Sequence, residues 1–225
     1  QVGIYRAATP KCFGGDALAP HLFLQMIERI SEADGSAGWV ASFGSAGVYL
    51  AALPRETLAE LYAESPDLVF AGGLFPLQPA EAVEGGYQVN GTWKFASGCK
   101  GADLLGVGIG AAGGKPRTAV FRPEQVDIVE NWEVVGLKGT GSHDLRVTDK
   151  RVDERWTFIR GGASTIDEPL FRYPSIAYAA QVLAVVNLGL ARAALDEISR
   201  MAGGSGITGA PKLSDRAYVR IEIAK

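Results

Sequence analysis

The hydrophobic period of this chain changes twice, so its fold must join helices, then many short strands, then helices again. Pro20 opens a run with Phe23, Met26, Ile27 and Ile30 on one face and Glu28, Arg29 and Glu32 on another, closed by Asp34-Gly35. Residues 36–53 are rich in Gly, Ala and Ser around Trp39, Val40, Phe43, Val48, Tyr49 and Leu50, which predicts a tightly packed internal helix ended by Pro54. Arg55 to Glu64 reads as a short amphipathic helix stopped by Ser65-Pro66. At residue 67 the pattern shortens to Leu68-Val69-Phe70, Tyr87-Gln88-Val89, Thr92-Trp93-Lys94-Phe95, Leu104 to Val107, Thr118 to Phe121, Val126 to Val129 and Leu145-Arg146-Val147. Asn90-Gly91 between two of these runs is a type I′ hairpin signal. Short strands at this spacing predict an antiparallel barrel or sandwich. From Ser175 the helical period returns, with Val182, Val185, Val186, Leu190, Ala193, Ala194 and Ile198 as a broad stripe ended by Gly203-Gly204. Beyond Leu213 two readings stand: Val219 to Ile223 alternates like a strand, while Ser214 and Asp215 suit a helix cap.

Of the 225 residues 47% are hydrophobic and 21% charged, enough for one sizeable core or two small ones in a soluble protein. A net charge of −3 argues against a nucleic-acid partner, which would call for a basic face. Cys12 and Cys99 make no disulfide framework, no CxxC spacing offers a metal site, and a reducing cytoplasm is expected. No secretory signal opens the chain, and its abrupt apolar ends at Val2-Gly3-Ile4-Tyr5 and Ile223-Ala224-Lys225 read as cut. The apolar stretch Ile176 to Ala191 is interrupted by Gln181 and Asn187 and falls short of the roughly 20 residues of a bilayer span, so a buried helix and no membrane are expected. Gly108-Ile109-Gly110-Ala111-Ala112-Gly113 satisfies GxGxxG, but Lys115-Pro116 and a further strand follow it where a dinucleotide site needs a helix; a hairpin loop is expected.

Two segments do not read as generic core. One runs from Gly85-Gly86-Tyr87 through Val89-Asn90-Gly91 to Trp93-Lys94-Phe95-Ala96-Ser97-Gly98-Cys99; the other joins Trp132 to Gly136-Leu137-Lys138-Gly139-Thr140-Gly141-Ser142-His143. Each gathers aromatic rings, glycines and hydroxyls at the end of an extended run, as a wall against a flat heterocycle requires. On packing grounds alone, Trp93 and Phe95 would share one strand face as core and Ser97-Gly98 would begin a turn. Gly139 and Gly141 would be a bulge, Trp132 core, and Trp39 with Phe43 an inter-helix contact. A lone strand histidine such as His143 is more often a hydrogen-bonded wall residue than a base.

Together with Asp34-Gly35-Ser36-Ala37-Gly38-Trp39 and Phe70-Ala71-Gly72-Gly73-Leu74-Phe75-Pro76, these segments resemble the acyl-CoA dehydrogenase superfamily. Within it the likeness is to the oxygenase components of two-component flavin-dependent monooxygenases, of the 4-hydroxyphenylacetate hydroxylase and dibenzothiophene monooxygenase type. The resemblance runs from Gly3 to about Ile223 and implies an α+β fold: a helical N-terminal domain (1–66), an antiparallel β-barrel flavin-binding domain (67–160) and the start of a C-terminal helical bundle (161–225). It favours the helix beyond Leu213.

Phe95 stands where the family places an aromatic along the flavin, and Ser97 where it places a hydroxyl at the N5 edge. With Ala96 they give the aromatic-Ala-Ser-Gly form of the monooxygenase branch. Gly72, Gly73 and Phe75 fall in the family's loop at the pyrimidine edge, and Trp132, Thr140 and Ser142 in its second ligand stretch. Trp39, Phe43 and His143 are implied as substrate-pocket residues. Leu77-Gln78-Pro79-Ala80 departs from the dehydrogenases' acidic, Pro-Gly-x-Gly-Ser acyl-CoA segment and counts against a thioester substrate. The implied chemistry uses reduced FMN or FAD from a separate flavin reductase and O2. A C4a-hydroperoxyflavin would hydroxylate a small aromatic or heteroaromatic substrate, with Ser97 as the catalytic hydrogen-bonding group. Relatives of this kind are usually homotetramers. An FAD-dependent dehydrogenase or oxidase, and a non-catalytic flavin-binding or assembly subunit, are the alternatives.

Overall fold

A computed structural model describes residues 3–110, 114–202 and 212–224 of the chain. Helix α1 (Pro20–Ala33) starts on a proline, whose missing N–H costs nothing at that position. Asp34 is extended and caps α2 (Gly35–Ala41), its carboxylate accepting the Ala37 N–H at 2.7 Å. The single helix expected over 36–53 is broken into α2, a 3₁₀ turn at Ser42–Ser45 and α3 (Gly47–Leu50). The break fits its surroundings, because the carbonyls of Ile4 and Ala8 press on Gly44 and Gly47 where any Cβ would sit within 2.2 Å of them. Helix α4 (Arg55–Leu61) follows Pro54 as expected.

Seven strands follow: β1 (Phe70–Val83), β2 (Gly86–Ala96), β3 (Leu104–Gly110), β4 (Arg117–Phe121), β5 (Asp127–Val129), β6 (His143–Asp153) and β7 (Thr157–Ile159). Their order in the sheet is β5-β6-β2-β1-β3-β4-β7. The expected antiparallel barrel or sandwich is corrected on two counts. The β1–β3 pairing is parallel, and the edge strands β5 and β7 do not pair with each other among the described residues. Both edges are only three residues long, too short to close a barrel. Phe70 to Pro76, expected as a loop, lies within β1, with Gly72 and Gly73 paired to Gly106 and Val107.

Asn90-Gly91 does not form the expected hairpin turn. That turn is Glu84-Gly85, where Gly85 takes φ 73°, and β2 runs straight through residues 90–91. The register against β6 slips there, and the Asn90 side chain accepts the Asp149 N–H at 2.6 Å, so the pair is a bulge. Strand β3 ends at Gly110 and pairs antiparallel with β4, which upholds the hairpin reading of the GxGxxG segment; its residues 111–113 lie outside the described part.

Strand β3 is buried on both faces. Leu104 joins a core built from the helices, while Leu105, Val107 and Ile109 join a second core around Trp93, Phe121 and Leu145 inside the curled sheet. Helix α5 (Ser175–Ala202) is 28 residues long, so the expectation that this segment is too short to span a bilayer is corrected. By length and composition it could cross a membrane. Here its inner face of Tyr178, Val182, Val185, Val186 and Gly189 is buried, packed on α1, and Leu188, Ile198 and Met201 are exposed. The last stretch is helix α6 (Ala217–Ala224), as the resemblance favoured.

Candidate active site

The fold brings the two singled-out segments together where β2 and β6 meet. The Gly98 N–H donates to the Thr140 carbonyl at 2.7 Å, and the Cys99 thiol points at the Gly141 carbonyl. Trp93 and Phe95 do not share a face. Trp93 is fully buried, its indole N–H donating to the Gly108 carbonyl at 2.7 Å, whereas Phe95 is 58% exposed. The cause is backbone: Phe95 adopts φ 63°, which flips its side chain out of the strand alternation. A bulky residue in the left-handed region is a genuine outlier, and such strain gathers at ligand sites.

Four side chains form a hydrogen-bonded line beside Phe95. The Trp39 indole Nε1 donates to Ser97 Oγ at 3.0 Å, Ser97 Oγ lies 2.7 Å from Ser142 Oγ, and Ser142 Oγ lies 2.6 Å from Thr140 Oγ1. Thr140 Oγ1 in turn lies 2.8 Å from the Leu137 carbonyl, which can only accept. Each hydroxyl has one proton to give. With a donor at one end and an acceptor at the other, one arrangement satisfies all four contacts: Trp39 to Ser97 to Ser142 to Thr140 to Leu137. The Ser97 proton is therefore directed into the protein, and the oxygen has a lone pair left for the N–H of a ligand.

Ser97 and Phe95 face a cavity of about 200 Å³ between the helices and the sheet. Its helical wall is Trp39, Ser42, Phe43, Ala46 and Tyr49, and its sheet wall includes Phe70, Gly72 and Phe158, with Arg160 beyond the end of β7. Burial pushes the Tyr49 phenol above its usual range, opposed by a hydrogen bond to Ser45 and the nearby Arg160 charge. Helix α5 closes one side with Ala179, Val182 and Leu183.

Of the residues singled out in the sequence, Phe95, Ser97, Gly72, Trp39 and Phe43 line this one cavity. Thr140 and Ser142 stand behind Ser97, and Trp132 meets Phe95 edge-on with ring centroids 6.3 Å apart. Gly73, Ala96, Phe75 and His143 are not part of its wall. Ala96 is core, and Phe75 is 64% exposed on β1. His143 Nδ1 accepts the backbone N–H groups of Asn131 and Trp132 at 3.1 and 3.2 Å, a bracket holding the Trp132 segment against β6. Sequence reading missed Tyr49, Phe158 and Arg160. The helical spacing of 39, 42, 43, 46 and 49 was a usable signal for Tyr49; nothing in the local pattern marked Arg160.

The chain is 59% identical to the indole-3-acetate monooxygenase of Pseudomonas putida, over 99% of this chain and 59% of that protein. It is 33% identical to the oxygenase component of the FADH2-dependent resorcinol hydroxylase of a Rhizobium species, over 93% of this chain and 55% of that protein. Among solved structures, the 3-HSA hydroxylase of a Rhodococcus species superposes with a TM-score of 0.90 at 26% identity, covering 99% of this chain and 61% of that one. No family model matches. The chain thus spans less than two thirds of the length of these relatives. Over that span it belongs to the flavin-dependent monooxygenase oxygenase components, the two-component branch of the acyl-CoA dehydrogenase-like fold.

Proposed function

We propose that this protein is the oxygenase component of a two-component monooxygenase that hydroxylates a small aromatic or heteroaromatic ring with O2 and reduced flavin. The observation that carries this reading is the polarised hydroxyl line ending at Ser97 beside the outward-turned Phe95, both on one apolar cavity. These residues fit a flavin. A reduced isoalloxazine offers an N–H to the free Ser97 lone pair and a flat face to the Phe95 ring, which its left-handed backbone leaves 58% exposed beside the edge of Trp132. When bound, the reduced flavin would activate O2 for transfer of one oxygen atom to the ring.

The chain's own residues do the rest. Ser97 orients the ring edge, held by Trp39 on one side and Ser142 on the other. Phe43, Phe70 and Phe158 stack or flank an aromatic substrate and exclude water, which would otherwise divert reduced oxygen to free peroxide. The mostly aromatic and aliphatic lining of the cavity suits a small ring system. The indole-3-acetate and resorcinol in the relatives' names are small ring compounds of that kind.

A separate flavin reductase would deliver the flavin, as the name of the FADH2-dependent relative supports. A homotetramer is the assembly we propose, and the exposed Leu188, Ile198 and Met201 of α5 are surface it would cover. The test is anaerobic titration with reduced FMN and reduced FAD, then admission of air with a panel of aromatic compounds. Reduced flavin should bind, and ring-hydroxylated product should exceed hydrogen peroxide for at least one compound. Tight binding of oxidised FAD with bleaching by a thioester would overturn the reading.

A further inference from the structure

The cavity wall has one charged side chain, and no acid answers it. Arg160 lines the cavity among aromatic, aliphatic and hydroxyl residues, none of them Asp or Glu. Nearby cations are differently placed: Arg117 pairs with Glu154, Arg155 with Glu60 and Arg172 with Asp167. Among the described residues Arg160 has no ion pair and no hydrogen bond; its recorded contact is with the Tyr49 ring, its guanidinium carbon 5.9 Å from the centroid. That contact leaves the in-plane N–H groups free, since stacking uses the face of a guanidinium and hydrogen bonding its edge.

The polarity of the cavity is consequently two-ended. The Trp39 end carries Ser97 and Phe95, and the Tyr49 end carries Arg160. Trp39 lies on α2 and Tyr49 on α3, on either side of the 3₁₀ turn, so the two side chains enter the cavity wall from different helices. One molecule can meet both ends only with different parts of itself. Two relatives are named for indole-3-acetate, a ring with a short acidic arm; we propose that Arg160 is the specificity-determining residue for such an acid, the ring lying toward Ser97 and the carboxylate in the guanidinium fork. This rests on the oxygenase reading for the ring's fate, but the recognition itself needs only the cavity. A phenol or bare heteroarene would use the aromatic wall and leave Arg160 idle. An arylacetate uses both, because a carboxylate matches the fork with two parallel hydrogen bonds.

The experiment is calorimetric binding to the full-length protein, without flavin or turnover, of indole-3-acetate, its amide and indole. The acid should bind about 10- to 100-fold more tightly than the amide, the range set by one charge-assisted hydrogen-bonded pair. Arg160→Gln should abolish that preference while leaving indole binding unchanged, and Arg160→Lys should restore part of it. In turnover, the same variant should raise KM for the acid by a similar factor with little change in kcat. Equal binding of acid and amide by the unaltered protein, or equal loss of all three ligands in Arg160→Gln, would overturn the proposal. Arg160-dependent acid binding with no ring hydroxylation would sustain this inference and sink the oxygenase reading instead.

Discussion

At the scale of single residues, the direction of the hydroxyl line makes predictions that a plain list of contacts does not. Ser142→Ala removes the acceptor of the Ser97 proton and leaves Thr140 satisfied through Leu137. The Ser97 hydroxyl then turns its proton toward the cavity and meets a ligand N–H donor to donor. Reduced-flavin affinity should fall about 10-fold or more, the cost of one lost and one opposed hydrogen bond, as an anaerobic titration will show. Thr140→Ser preserves every link and should titrate like the parent. If Ser142→Ala also binds like the parent, the polarity derived from the Leu137 carbonyl is wrong.

Phe95 permits a second separation of strain from contact. Phe95→Ala and Phe95→Gly both delete the ring, but only glycine relaxes at φ 63°. The glycine variant should be more stable than the alanine variant by about 1 kcal/mol in urea denaturation, while both lose the same flavin affinity. The hydroxyls and aromatics of this site were legible in the sequence as residues. The positive φ that swings Phe95 out of the core was not, because strand alternation gives Trp93 and Phe95 the same face.

At the scale of elements, periodicity located most helices and strands and misjudged what joins them. Leu104 to Val107 is a continuous apolar run because a strand buried on both faces has no polar side to alternate with. Strand β1 escaped notice for the opposite reason. Its outer half, from Phe75 to Val83, alternates exposed and half-buried positions and carries Pro76 and Pro79, residues that normally demote a strand. Asn90-Gly91 reads locally as a turn, yet the partner strand has its own left-handed residue at Asp149, φ 51°, and the two irregularities face each other as a bulge.

Packing between elements is tightest where α5 crosses α1. A Cβ on Gly189 would lie 2.4 Å from the Glu28 carbonyl and 2.6 Å from Ser31 Cβ. Neither is the far end of a flexible side chain, so Gly189→Ala must push the helices apart. The expected cost is about 1–3 kcal/mol in denaturant unfolding. Since α5 also walls the cavity with Ala179, Val182 and Leu183, affinity for aromatic ligands should fall in the same variant. An alanine variant as stable as the parent would show that the crossing has slack.

At the scale of the whole molecule, the helical core and the sheet core meet through strands that serve both, and the helical core holds two phenols that resist ionisation. Burial drives the Tyr62 phenol up to about 12, opposed weakly by a hydrogen bond to Thr9, and burial raises Tyr178 further still. In the unfolded chain both would ionise near pH 10. The folded state thus holds more protons than the unfolded state above pH 10, and stability must fall as pH rises through that window. The contribution is intact below pH 10 and gone once the folded group ionises. For Tyr62 the shift amounts to about 2–3 kcal/mol, at roughly 1.4 kcal/mol per pH unit. Urea midpoints measured between pH 8.5 and 11.5 should therefore decline, and Tyr62→Phe should decline less steeply, by about one proton's worth of slope above pH 10. Parallel curves for parent and variant would mean that Tyr62 ionises as easily folded as unfolded, and that the seam between α4 and the 3₁₀ segment at Phe13, whose ring stacks on Tyr62 at 5.5 Å, admits water.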